Sequence, residues 1–119
     1  MNNIIKGLLI DPEAETIEEV EVKTENGNQL ASMYELLKCD LVDCAGSGLN
    51  FLPSSCGDDI WFDDEGALRA NAARFEIPGW IPIFGCGLIL SHDGEGNCLS
   101  HTLTNHDIEV LKEEIIFHH

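Results

Sequence analysis

Along "TIEEVEVK", Val20 and Val22 alternate with Glu19, Glu21 and Lys23, the period of two that marks a half-buried strand with one acidic edge or face. The segment before it, "IIKGLLID", is a short apolar run closed by Pro12, so the two stretches read as strands joined by a turn. After a turn at Asn26-Gly27 the period changes. Leu30, Met33, Tyr34 and Leu37 fall at helical spacing, with Asn28 as a candidate cap, and predict a helix over "NQLASMYELLKC".

"DLVDCA" predicts a short buried strand, and the Gly, Ser and Pro density of "GSGLNFLPSSCGD" predicts an irregular connection. "DIWF" and "ALRA" flank "DDEG" as the arms of a hairpin would. The apolar continuity of "IFGCGLILS" suggests a central strand, followed by a turn at "HDGEGN". Thr104 stands three positions before Asp107, close to a capping box, and Ile108, Leu111 and Ile115 then line one helical stripe. The order of elements favours an α+β fold, a mostly antiparallel sheet with two helices packed on it, the last at the C-terminus, both covering one face.

A length of 119 residues, 44% of them hydrophobic, suits a single domain over residues 1–119 with one core and a radius of gyration of roughly 13 Å. Charge changes the picture more than size does. Twenty-two acidic against 6 basic residues give a net charge of −16, which argues against direct binding to nucleic-acid phosphates or an anionic membrane. A basic protein surface is the electrostatically natural partner, with Glu18, Glu19, Glu21, Asp58 and Asp59 as candidate contacts. Trp80, held between prolines in "EIPGWIPI", is a candidate aromatic anchor. No stretch approaches the ~20 apolar residues needed to span a bilayer, and "MNNIIKGLLIDPE" lacks signal-peptide features, so a cytoplasmic location is expected. Oligomeric state is not legible.

Candidate chemistry is sparse, and no cofactor is implied. Asp63, Asp64 and Glu65 are oxygen ligands that a hard divalent cation would accept, with His92 and Asp93 as a second set. Consecutive residues point in different directions, however, and Asp and Gly are also what a tight turn requires, so the turn is the favoured reading. A zinc site from His92, Cys98 and His101 has suitable ligand types without any of the usual spacings. The five cysteines (Cys39, Cys44, Cys56, Cys86 and Cys98) fit neither a paired disulfide framework nor a CxxC pattern, and read as reduced, buried thiols. "GCG" lacks the third glycine of a dinucleotide fingerprint and reads as a bulge or a site of close packing. His118 and His119, native or the remnant of a purification tag, are set aside from functional reasoning.

Taken in order, "IIKGLLIDPE…IEEVEV", "DDIWFDDEGAL", Asn71 and "FGCGLILSHDGEG" resemble the small family called domain of unknown function 3846, associated with gut-bacterial, phage and mobile-element genomes. The resemblance spans most of the chain and implies a genomic context, with no activity, ligand or catalytic residue to carry over. The expectation is therefore a non-enzymatic acidic interaction module, a nucleic-acid mimic or defence inhibitor on a basic protein surface. The alternatives are a small-ligand or divalent-metal-binding protein and a cysteine-dependent enzyme.

Overall fold

The computed structural model describes residues 3–24, 30–39, 42–46, 58–63, 65, 73–77, 82–92 and 98–118. Strands β1 (Asn3–Asp11) and β2 (Thr16–Thr24) form a long antiparallel pair in which Ile10 faces Ile17 and Ile5 faces Val22. Their turn is built from Asp11, whose Oδ1 accepts from the backbone N–H groups of Glu13 and Ala14, and from Glu15 in the left-handed region at φ 55°.

Helix α1 (Leu30–Leu37) follows, and Asn28 lies outside the described residues. Lys38 at φ 55° and a bond from the Cys39 N–H to the Tyr34 carbonyl close the helix with a left-handed C-terminal turn. Next come β3 (Val42–Gly46), β4 (Asp59–Asp63), β5 (Arg74–Glu76), β6 (Ile83–Phe84), β7 (Gly87–His92) and β8 (Cys98–Leu99). Helix α2 (Asn105–Glu114) has the expected capping box, Thr104 Oγ1 accepting from Asp107 N while Asp107 Oδ2 accepts from Thr104 N. A final strand, β9 (Ile116–His118), follows it, so the C-terminal helix is the penultimate element.

The fold class is α+β with antiparallel pairing throughout. The main sheet has the order β2-β1-β7-β4-β3, with β8 beside β7, and the smaller sheet has the order β6-β5-β9. The predicted central strand is β7, paired with β1 on one side and β4 on the other. "IFGCGLILS" is nevertheless two strands in different sheets, parted at Gly85, whose φ of +85° favours glycine. Gly87 is a close-packing site, since a Cβ there would lie 2.6 Å from Phe75 Cζ.

The helices cover opposite faces of the main sheet, which corrects the expectation that they share one. Leu8, Ile10, Ile17, Ile60 and Ile89 pack with Leu111 of α2 and with Phe75 and Ile83 of the small sheet. On the other face, Val22, Leu88 and Leu90 pack with Met33 and Leu37 of α1. Neighbouring strand positions alternate between the two clusters, as pleating dictates. The radius of gyration is 13.4 Å, close to the compact-domain expectation.

In the "DDEG" segment, the first arm expected of the hairpin is β4, which pairs with β3 on one side and β7 on the other, while "ALRA", the expected second arm, falls outside the described residues. Residues 66–72 lie outside the described residues.

Candidate functional site

Strand β2 is an edge of the main sheet, paired only with β1 among the described residues. Glu18, Glu19 and Glu21 are all exposed, but alternation divides them. Glu19 and Glu21 share the face of Ile17, on the α2 side, whereas Glu18 shares the face of Val20 and Val22, on the α1 side. The three carboxylates therefore line an edge from both sides and form no single-face patch.

Glu19 is already engaged. Its Oε1 lies 3.6 Å from Lys6 Nζ and its Oε2 lies 3.0 Å from His101 Nε2. The His101 side chain is 6% exposed, and its Nδ1 accepts from the Leu103 N–H, so the proton sits on Nε2 and points at Glu19. The hydrogen bond from His101, joined by the charge of Lys6, holds the Glu19 carboxyl below its ordinary value of 4.5. A lowered folded-state pKa contributes stability that is present above the unfolded value and is lost as pH falls through the folded value. Side-chain NMR should thus place the Glu19 midpoint below 4.5, and His101→Leu, which removes the donor, should move it upward; an unchanged midpoint in the variant would contradict this bond as the cause.

Asp58 and Asp59 occupy different settings. Asp58 is 1% exposed and accepts from both the backbone N–H and the hydroxyl of Thr102, so it fastens the segment before α2 and is covered from any partner. Asp59 is partly buried, and its Oδ2 lies 2.6 Å from Nδ1 of the half-exposed His92. Such a carboxylate orients an imidazole and sets its tautomer, an arrangement shared by catalytic bases and by merely structural pairs.

A cysteine nucleophile beside this pair would need an accessible thiolate. Cys98 is the register partner of His92, and Cys44 stands opposite Trp61 on β4. Burial first, then the Asp59 charge, pushes both thiols up, Cys44 to about 12; burial likewise raises Cys86 to about 11. These thiols are protonated at neutral pH, the opposite of an activated nucleophile. Iodoacetamide at pH 8 should therefore label Cys44 and Cys86 at least about tenfold more slowly than a free thiol of ordinary pKa, and Cys98 more slowly than such a thiol. Rapid labelling of Cys44 in the native protein would contradict its protonated state.

In the acidic turn, Asp63 is buried and its Oδ1 accepts from the Glu65 N–H at 2.9 Å, the local bond of an Asx turn. Glu65 is exposed. Asp64, Asp93 and Trp80 lie outside the described residues. Among the described residues no group of three or more His, Cys, Asp or Glu is gathered as metal ligands, and His101, one of the imagined zinc ligands, has both ring nitrogens engaged. His118 belongs to β9, with Nε2 3.1 Å from Glu76 Oε2. No described helix is long and apolar enough to cross a membrane.

A cleft of about 460 Å³ lies at one end of β2, lined by Glu15, Thr16, Ile17, Glu18, Lys112 and Phe117. Sequence reading marked Glu18 but missed its neighbours from α2 and β9. Lys112 and Phe117 are roughly a hundred residues away along the chain, and no local pattern couples them to β2. No curated protein and no solved structure matches the chain. The model of one family, described as Domain of unknown function (DUF3846), matches residues 5–115. That match spans β1 through α2, including the acidic edge, the buried Asp58 and the capped helix, and the chain belongs to the DUF3846 family.

Proposed function

We propose that the chain is a non-enzymatic acidic interaction module that binds a basic protein surface, acting as a nucleic-acid mimic or defence inhibitor in a phage or mobile-element setting. The observation that carries this reading is the uncompensated charge. The net charge is −16, and two of the few cations, Lys6 and Lys112, already lie beside Glu19 and Glu109. Exposed carboxylates sit on β2 (Glu18 and Glu21), on α1 (Glu35) and in the turn after β4 (Glu65), so the field extends well beyond one loop. Such a field speeds encounter with cationic surfaces, repels phosphate backbones and anionic lipid, and weakens as salt screens it. The raised thiols support the non-enzymatic part of the reading, because a cysteine nucleophile works as the thiolate.

The test is retention on a basic partner captured from host extract. Release is expected in salt of roughly 0.2–0.4 M, where the screening length shrinks to several Å. Reversing Glu18, Glu19 and Glu21 to lysine should weaken capture, with circular dichroism confirming the fold. Retention that ignores both salt and charge reversal would overturn the proposal.

A further inference from the structure

We infer that the open edge of β2 is a strand-addition site for an extended, cationic peptide segment of a partner protein, with the backbone of Ile17, Glu19 and Glu21 as its hydrogen-bonding template. The inference rests on the acidic-module reading and specifies where and how such a module would grip its partner.

Three bonds, two on β1 and one on β2, establish which backbone groups face outward. Lys6 sends its N–H to Ser100 Oγ and its carbonyl accepts from His101 N, so Lys6 points away from β2, and its register partner Glu21 must point away from β1. On β2 itself, the Lys23 N–H donates to Ser32 Oγ of α1, also away from β1. Odd-numbered residues of β2 therefore turn their N–H and C=O groups to the free edge. The bond to Ser32 occupies the end at Lys23. From Ile17 to Glu21 no strand, and no backbone bond from another element, takes up these groups among the described residues. An edge of this kind accepts an added strand through its main chain, while side chains on alternate faces select the sequence.

Those side chains favour cations. Glu21 on one face and Glu18 on the other flank the half-buried Val20, and Glu19 between them is already held by Lys6 and His101. An antiparallel guest would place a basic residue opposite Glu21, an apolar one opposite Val20 and a second basic residue opposite Glu18. The guest motif is thus basic, apolar, any residue, basic, with the next position an apolar side chain opposite Ile17 beside Phe117 of the cleft. A second copy of this chain is the wrong occupant. Pairing outward residues with outward residues about any centre from Glu18 to Glu21 sets at least one glutamate directly opposite another, which is destabilising.

The test uses the full chain, the capped peptide TKVTKVT, the same peptide N-methylated at its second, fourth and sixth residues, and polylysine. Binding of TKVTKVT should slow exchange of the Ile17, Glu19 and Glu21 amides at least about tenfold while the inward Glu18 and Val20 amides, already bonded to β1, change little. N-methylation removes the guest's donors and keeps its charge, so it should weaken binding at least about tenfold. Glu21→Pro, which deletes one outward N–H at a position where an edge strand tolerates proline, should weaken binding more than Glu21→Gln. Equal binding of both peptides without alternating protection, together with salt-sensitive binding of polylysine, would overturn strand addition and leave the acidic-module reading standing. Failure of the peptide and of polylysine alike would overturn both.

Discussion

Replacing Phe75 by alanine is expected to lower the unfolding free energy by about 3–5 kcal/mol, the range for large-to-small substitution of a buried aromatic. Phe75 is wholly buried on β5, the middle strand of the small sheet, and its ring lies against Gly87, the first residue of central strand β7. The absent side chain at Gly87 is what lets the ring approach. Removal of the ring would open a cavity among Ile60, Ile83, Leu111 and their neighbours, where the small sheet and α2 meet the main sheet. Because small domains are stable by only about 5–15 kcal/mol, such a loss is a large fraction of the whole. Urea unfolding followed by circular dichroism would measure it, with Phe75→Leu as a milder control. A loss below about 1 kcal/mol for the alanine variant would mean that the small sheet does not depend on this contact.

Asp58→Ala should cost about 2–4 kcal/mol, because it takes a buried carboxylate away from the half-buried Thr102 N–H and hydroxyl that donate to it. The carboxylate joins the start of β4 to the segment that leads into α2, a link spanning 44 residues of sequence. Asp58→Asn should cost less, since an amide oxygen still accepts from the Thr102 N–H. A double-mutant cycle with Thr102→Val would isolate the hydroxyl bond. Equal stability of Asp58→Ala and wild type would contradict this role.

Sequence reading was strongest where a single local rule sufficed. Alternation located β2, the Thr104–Asp107 spacing located the start of α2, and the continuous apolar run around Leu88–Leu90 identified a central strand. That run also held the correction to the helix arrangement. Leu88 and Leu90 point one way and Ile89 the other, and all three are buried, so both faces of β7 need a cover. Strands β5 and β9 are three residues each, too short to display a period of two.

The candidate site was less legible because its bonds are long-range. His101 meets Glu19 across 82 residues and His92 meets Asp59 across 33. The opposite directions of Glu18 and Glu19 followed from alternation alone, but which face each would occupy depended on where the helices packed. Likewise, the acidity of "FDDEG" was plain, whereas the bond from Glu65 N to Asp63 marks the segment as a turn only once the backbone is in view.

Placement of charge and total charge make different forecasts for an acidic interaction module, and one comparison separates them. Two double variants, Glu18→Lys with Glu21→Lys and Glu35→Lys with Glu113→Lys, have the same net charge and alter only exposed carboxylates. Each would be immobilised beside the wild type and offered the same host extract, with captured proteins identified by mass spectrometry over a salt series. Partners retained by the wild type are predicted to be basic, to elute as salt rises, and to be lost from the Glu18/Glu21 variant far more than from the Glu35/Glu113 variant. Capture of neutral or acidic partners that persist in high salt and bind all three proteins equally would contradict the account.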